Sequence, residues 1–279
     1  MEENRKRHEI INAPYNPVTG LGAVGERKKI SIKDSPIGDM YLPVELIKEN
    51  LFIRRLAKYG FKGYIIRFIK EVEYSEEALN QLWIEFIKYR IIYDFEYWAY
   101  SFIFIKDKVS PKDIPFKLNR AQRRVLNKLE KLRKAGKPIK FILLKARQWG
   151  GSTLVQIYML WIMLVHRRNW NTVICGDVET QSRNVRAMIT KALNKYPSYL
   201  LGETVKFTPF EGSSKNKVIQ NTNCVVSIGS FQKPDTLRSG DISGAHLTEI
   251  GLWRATPGKK PEDLIQSISG LFMIQHIRF

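Results

Sequence analysis

The chain has 279 residues, enough for one large domain or two smaller ones. Its hydrophobic and charged fractions, 44% and 26%, are those of an ordinary globular protein. Lysine and arginine number 46 against 27 aspartates and glutamates, which gives a formal net charge of +19. Such an excess favours polyanions. It indicates a nucleic acid partner rather than a membrane, because no strongly basic amphipathic segment stands apart from the core helices.

Several other functional classes are disfavoured by the sequence. The two cysteines, Cys175 and Cys224, lie in separate strand-like segments, which predicts buried reduced thiols rather than a disulfide framework or metal site. The first twenty residues are polar and do not resemble a signal peptide. The longest apolar run, 154–165, has 12 residues and is too short to cross a bilayer. We therefore expect a soluble intracellular protein.

The first 114 residues divide into two predicted regions. Residues 1–40 are polar, with basic clusters at 5–7 and 27–29, and predict a flexible basic arm that either contacts DNA or is simply solvated. Residues 41–114 predict a helical region. Ser75 is a candidate N-cap, and the apolar spacing that follows it is helical. The aromatic residues between Tyr93 and Phe104 favour core packing over base stacking.

The third region, 115–279, alternates between strand-like and helix-like segments. The predicted strands are Phe141–Leu144, Thr172–Gly176 and Cys224–Ile228, the last one pairing with Lys217–Ile219. The predicted helices are Leu154–Val165 and Glu179–Tyr196. This alternation predicts an α/β fold with a parallel sheet and helices on both faces.

Residues 145–153, with the sequence KARQWGGST, lie between the first predicted strand and helix. This layout is typical of a phosphate-binding loop, in which backbone N–H groups hold anionic oxygens. The usual G-x-x-x-x-G-K-[ST] pattern is altered, because Lys145 and Gly151 have exchanged places. Ser152 remains where a hydroxyl ligates Mg²⁺. The alternative is an ordinary Gly-Gly turn with Lys145 and Arg147 solvated.

Gln122 has two interpretations. Asn119 and Gln122 have the spacing of a capping box, which would explain the glutamine structurally. Alternatively, its amide contacts an adenine edge, as a glutamine ahead of the phosphate-binding loop does in several ATPase families. The spacing does not distinguish between them.

Glu249 ends the apolar segment Ala245–Glu249, so we expect its carboxylate at the carboxyl edge of the sheet. Ligands bind at this edge in open α/β sheets. Glu249 would then orient a water molecule for attack on a γ-phosphate. The alternative is a surface acid or a helix N-terminal charge. Thr248 stands where an aspartate usually helps to hold the Mg²⁺ shell, so a hydroxyl would act there only weakly, through water.

Taken together, these segments resemble the large terminase subunit of tailed phages, over approximately residues 95–265. The resemblance is carried by four motifs: Pro115–Arg124, Lys145–Thr153, Leu237–Gly240 and His246–Trp253. It implies a P-loop NTPase fold of the ASCE type, here residues 115–279, with ATP and Mg²⁺. It also implies packaging of double-stranded DNA into a procapsid, with portal protein and small terminase subunit as partners, a homo-oligomeric ring and no membrane.

The resemblance also implies roles for individual residues. Gln122 would contact adenine, and Arg147 would act on the γ-phosphate with Glu249 as catalytic carboxylate. Arg238 would belong to the loop before the catalytic strand, a candidate sensor whose role the resemblance does not assign. The remaining nucleotide-binding residues would be Lys145, Gln148, Trp149, Gly150, Gly151, Ser152 and Thr153.

The family's coupling motif and nuclease domain are not recognisable before Phe279. We therefore expect a truncated chain without nuclease activity, acting in the cytoplasm of an infected bacterium. Two other interpretations are a helicase-like or repair DNA translocase, and a DNA-binding terminase remnant without ATP turnover.

Overall fold

The computed structural model describes residues 14–69, 74–107, 110–144, 149–233 and 241–270. The chain forms two compact units. One comprises the chain up to Ile103 together with Pro115–Asn127, and the other comprises Phe104–Ile114 and the chain from Lys128 onward.

The first unit begins with an ordered hairpin rather than a flexible arm. Strand β1 (Arg27–Ser31) pairs antiparallel with β2 (Asp39–Pro43), and Met40 and Leu42 are fully buried. The expectation of a flexible arm over residues 1–40 is therefore wrong for residues 14–40, while residues 1–13 lie outside the described part. The physical reason is that Arg27 of the basic cluster is engaged by buried carboxylates instead of water.

Four helices follow the hairpin, as the helical interpretation of this region predicts. They are α1 (Val44–Glu49), α2 (Leu51–Phe68), α3 (Glu76–Tyr93) and α4 (Phe95–Phe102). Ser75 caps α3 by accepting a hydrogen bond from the Ala78 N–H at 3.1 Å. Trp98 is fully buried, which confirms core packing for the aromatic cluster.

A buried network of charged groups ties the N-terminal segment to α3 and α4. Nη1 and Nη2 of Arg27 each donate to Asp94 at 2.9 Å, and Arg90 Nε donates to the same carboxylate at 3.1 Å. Glu96 accepts from Arg123 Nε at 2.8 Å. Because these partners are far apart in sequence, the network fixes the path of the first unit.

The second unit contains the following helices and strands. The strands are β3 (Phe104–Lys106), β4 (Asp113–Pro115, whose last residue belongs to the first unit), β5 (Asn171–Gly176), β6 (Phe207–Phe210), β7 (Ser213–Ile219), β8 (Cys224–Ser230) and β9 (Gly244–Leu247). The helices are α6 (Gly151–Trp161), a π-helical turn (Ile162–His166), α7 (Glu179–Leu193) and α8 (Pro261–Gly270), preceded by α5 (Arg120–Lys134), which begins in the first unit.

The central sheet is mixed, with strand order β6-β7-β8-β5-β9. Strands β8, β5 and β9 are parallel, whereas β7 runs antiparallel to β8 and β6 antiparallel to β7. The prediction of an α/β fold is confirmed, and Lys217–Ile219 does pair with the strand that begins at Cys224. The purely parallel sheet is wrong, because short turns connect β6, β7 and β8 and such turns join antiparallel neighbours.

Helices cover both faces of the sheet. Val173 and Cys175 of β5 pack with Leu264 and Ile268 of α8. His246 of β9 points to the opposite face and contacts Gln156 of α6.

The predicted strand Phe141–Leu144 is not found. These residues are irregular, and the side chains of Ile142 and Leu144 are 98% and 99% exposed. A strand is stabilised by hydrogen bonds to a partner, and no described strand pairs with this run. The apolar composition alone is therefore insufficient to form a strand here.

In the part of the chain that the structure describes, none of the helices combines the length and apolar character needed to cross a membrane.

Candidate functional site

The N-terminus of α6 carries the described part of the predicted phosphate-binding loop. Gly150 precedes the helix with φ of 84°, a left-handed conformation that glycine adopts readily. Gly151, Ser152 and Thr153 form the first turn, and the N-cap residue, Gly150, has no side chain that could cap it. The N–H groups of such a turn and the helix dipole favour an anion.

The direction of α6 relative to the sheet follows from two side-chain contacts. Near the end of α6, Thr172 Oγ1 of β5 lies 3.9 Å from Met163 Sδ. Seven residues earlier in the chain, Gln156 Nε2 donates to His246 Nδ1 at 2.5 Å. His246 is paired in register with Ile174, which lies two residues beyond Thr172 along β5. The N-terminal part of α6 therefore lies closer than its C-terminal part to the carboxyl ends of the strands. The first turn of α6 therefore faces the carboxyl edge of the sheet.

Glu249 lies at that same edge. Strand β9 ends at Leu247, and the Thr248 N–H still donates to the Cys175 carbonyl at 2.8 Å. The next residue, Glu249, has φ of 57°, which turns the chain out of the sheet. Thr248 is buried, whereas Glu249 is exposed to solvent. The short strand predicted before Glu249 is thus present, and its carboxylate is accessible.

Gln181 is a site residue that the sequence analysis missed. Its Nε2 donates to Glu249 Oε2 at 3.3 Å, and its Oε1 accepts from the Asp177 N–H at 3.0 Å. Gln181 therefore connects the end of β5 to the carboxylate that follows β9. The available signal was its position in the first turn of a helix directly after a predicted parallel strand, where polar side chains face the carboxyl edge.

Cys175 lies near this edge without the properties of a nucleophile. Burial and the nearby charge of Asp177 raise the pKa of the thiol to about 12. The thiolate is the reactive form, so Cys175 is inert at neutral pH.

The structure describes some of the predicted site residues and not others. Lys145, Arg147, Gln148 and Arg238 lie outside the described residues. The remaining loop residues, Trp149, Gly150, Gly151, Ser152 and Thr153, lie at the start of α6. Thr248 and Glu249 follow β9.

Gln122 belongs to the first unit and forms a capping box with Asn119. The Asn119 N–H donates to Gln122 Oε1 at 2.8 Å, and the Gln122 N–H donates to Asn119 Oδ1 at 2.9 Å. The structural interpretation is confirmed. Contact with adenine stays a prediction.

The oxygen-rich side chains at the carboxyl edge fit Mg²⁺ only as a nucleotide complex. Within the described ranges, no group of three or more His, Cys, Asp or Glu side chains is placed to hold a metal ion. Mg²⁺ is commonly held by one or two protein oxygens together with substrate phosphates. Of the two predicted Mg²⁺ contacts, the Ser152 hydroxyl at the first turn of α6 meets that smaller requirement, whereas Thr248 is buried. Binding of Mg²⁺ stays a prediction.

Neither a scan against protein-family models nor a search of curated proteins finds a match to the chain.

Proposed function

We propose that the chain is an ATP-hydrolysing motor domain that moves double-stranded DNA, of the kind found in terminase large subunits. The observation that supports this most is that two features lie towards the same edge of the sheet. The first turn of α6 faces the carboxyl edge, and the exposed carboxylate of Glu249 follows the strand next to β5 at the same edge.

Each feature has a chemical task in hydrolysis of a phosphoanhydride. The N–H groups of Gly151, Ser152 and Thr153 would bind phosphate oxygens, and the Ser152 hydroxyl would contact Mg²⁺. Mg²⁺ would neutralise charge that develops on the phosphates. Glu249 would accept a hydrogen bond from the attacking water and so orient it, while Gln181 holds the carboxylate. Lys145 and Arg147 would add positive charge to the loop.

The DNA part of the proposal depends on charge and on the sequence resemblance. A net charge of +19 suits contact with a phosphate backbone, which gives binding that weakens with salt and shows little sequence preference. The packaging role, with a portal protein, a small subunit and a ring of subunits, comes from the terminase resemblance alone.

The test is ATP hydrolysis by the purified chain with and without duplex DNA, followed by release of inorganic phosphate. We expect Mg²⁺-dependent hydrolysis that duplex DNA stimulates. A fluorescent ATP analogue measures nucleotide binding separately. Absence of both binding and hydrolysis would refute the proposed site, while binding without hydrolysis would identify a nucleotide-binding protein without turnover.

A further inference from the structure

Helix α5 presents a continuous cationic surface to solvent. Five basic residues recur every three or four positions and are all exposed: Arg120, Arg124, Lys128, Lys131 and Lys134. This spacing places them on one face of the helix. The face is about 21 Å long at 1.5 Å per residue. We call it the α5 basic face.

None of the α5 residues on the α5 basic face is acidic. The one acidic residue of α5, Glu130, is buried, where it accepts hydrogen bonds from Arg133 at 2.8 Å and from Tyr158 Oη at 2.7 Å. Arg120, Arg124, Lys128 and Lys131 form no ion pair with any residue that the structure describes. Their charges are therefore available to an external polyanion.

Helix α2 is the main rival surface, since it also carries several cations and no acid. There, however, Arg55 lies over the ring of Phe68 at 4.5 Å and Arg67 over that of Tyr59 at 4.7 Å. The helix is also broken at Gly60, where φ is 72°. Its cations are thus partly engaged and do not form one straight row.

A membrane surface is a poorer occupant for α5 than nucleic acid. A helix that lies in a membrane interface must bury its apolar face among the lipids. In α5, the apolar residues Val125, Leu126 and Leu129 are already buried in the protein. Apart from Ala121 and the partly exposed Leu132, α5 presents charged and polar side chains to solvent. Its charge suits the regularly spaced phosphates of a duplex, one per 3.4 Å of each strand.

We propose that the α5 basic face grips the phosphodiester backbone of double-stranded nucleic acid. This deepens the proposed function and rests on it for the choice of duplex DNA as the partner. The contact is to phosphates, so it gives affinity without sequence preference.

The experiment compares duplex-DNA binding by three variants of the full chain over a range of salt concentrations. The first combines Arg124→Gln, Lys128→Gln and Lys131→Gln. The matched control removes the same charge from exposed lysines and an arginine that face acids, through Lys29→Gln, Arg183→Gln and Lys195→Gln. The third, on α2, combines Arg54→Gln, Lys58→Gln and Lys62→Gln.

We expect the α5 variant to make the slope of log K against log salt shallower by about 2.7, at roughly 0.9 per phosphate contact. The control should change the slope much less. Equal effects of the α5 and control variants, or a larger effect of the α2 variant, would overturn the inference. If the α5 variant lost more binding to vesicles containing phosphatidylserine than to duplex DNA, the α5 basic face would be a membrane-binding surface. That result would also overturn the inference.

The two proposals fail in different ways. If the chain hydrolyses ATP but its DNA binding is insensitive to the α5 variant, the α5 basic face is wrong and the proposed function stands. If duplex binding depends on α5 but nucleotide is neither bound nor hydrolysed, the ATPase is wrong and the α5 basic face stands.

Discussion

Gln156 of α6 donates a hydrogen bond to Nδ1 of His246 in β9, and this contact joins the two halves of the candidate site. Gln156 lies five residues after the start of α6, while His246 lies three residues before Glu249. Both side chains are buried. This hydrogen bond holds α6, whose N-terminus would bind an anion, against β9, the strand that precedes Glu249.

Replacing Gln156 by leucine should destabilise the second unit by about 1–3 kcal/mol, because His246 Nδ1 would remain buried without its donor. Urea unfolding measures this free energy. Gln220→Leu is the control, since Gln220 is exposed, and should change stability by no more than about 0.5 kcal/mol. Equal stability of the Gln156 variant and the wild type would show that the contact contributes little.

Glu249→Gln should lower kcat for ATP by about 10²- to 10⁴-fold while leaving ATP affinity unchanged, because the amide is a poor base towards water. Phosphate release and equilibrium ATP binding are the two measurements. The control is Glu203→Gln, which changes an exposed carboxylate elsewhere in the second unit. Wild-type turnover in the Glu249 variant would remove this residue from the mechanism.

Gln181→Ala should lower kcat by roughly 2- to 12-fold, the equivalent of one hydrogen bond worth about 0.5–1.5 kcal/mol. Its effect should disappear when Glu249 is already glutamine, because Gln181 acts through that carboxylate. Single-turnover kinetics of the two single variants and the double variant test this. Additive losses would mean that Gln181 acts independently of Glu249.

Asp94→Asn should destabilise the first unit by about 3–5 kcal/mol, since Arg90 would be left buried without its counter-charge and Arg27 would keep only Glu96, at 4.0 Å. Burial alone would raise the pKa of Asp94, but the charges and hydrogen bonds of these arginines hold it below its ordinary value of 3.8. The stabilisation is therefore present above that value and is lost as the pH falls through the folded-state pKa.

Thermal or urea unfolding of the Asp94 variant near neutral pH measures this loss. Asp39→Asn provides the control, because Asp39 pairs with Lys29 at the surface and should contribute far less. A similar loss in both variants would contradict the role of burial.

His166 makes stability depend on pH. Burial, together with the charges of Arg133 and Arg167, lowers the pKa of His166 from 6.5 to about 3. Between these values the unfolded chain binds a proton that the folded chain does not, so stability falls as pH decreases.

His166→Phe retains an aromatic ring beside Trp161, from which His166 lies 4.4 Å between centroids. We expect this variant to lose less stability than the wild type between pH 6.5 and 3. Urea unfolding at several pH values gives the slope of the unfolding free energy against pH for the variant and for the wild type. Identical slopes would show that His166 does not make stability depend on pH.

The sequence predicted the parts of the fold that local patterns specify. The strand at Thr172, the helix at Glu179 and the strand before Glu249 were found because alternating or helical spacing is a property of neighbouring residues. The hairpin of β1 and β2 was missed because Arg27 is held by Asp94, 67 residues later. From the sequence alone, the basic cluster that contains Arg27 was therefore interpreted as part of a solvated arm.

In the candidate site too, local patterns predicted some residues and missed those that depend on distant contacts. Glu249 was identified because a short apolar strand precedes it, whereas Gln181 depends on contact with a residue 68 positions away. The run Phe141–Leu144 was misread because composition reveals that residues are apolar without revealing whether a partner strand exists.

The burial of both native cysteines has a practical consequence. Cys175 and Cys224 are each fully buried and unpaired with one another, and Cys175 stays protonated at neutral pH. A maleimide reagent therefore has little access to either thiol. Lys131→Cys would introduce one accessible thiol on α5, so that a single fluorophore can be attached without first removing the native cysteines.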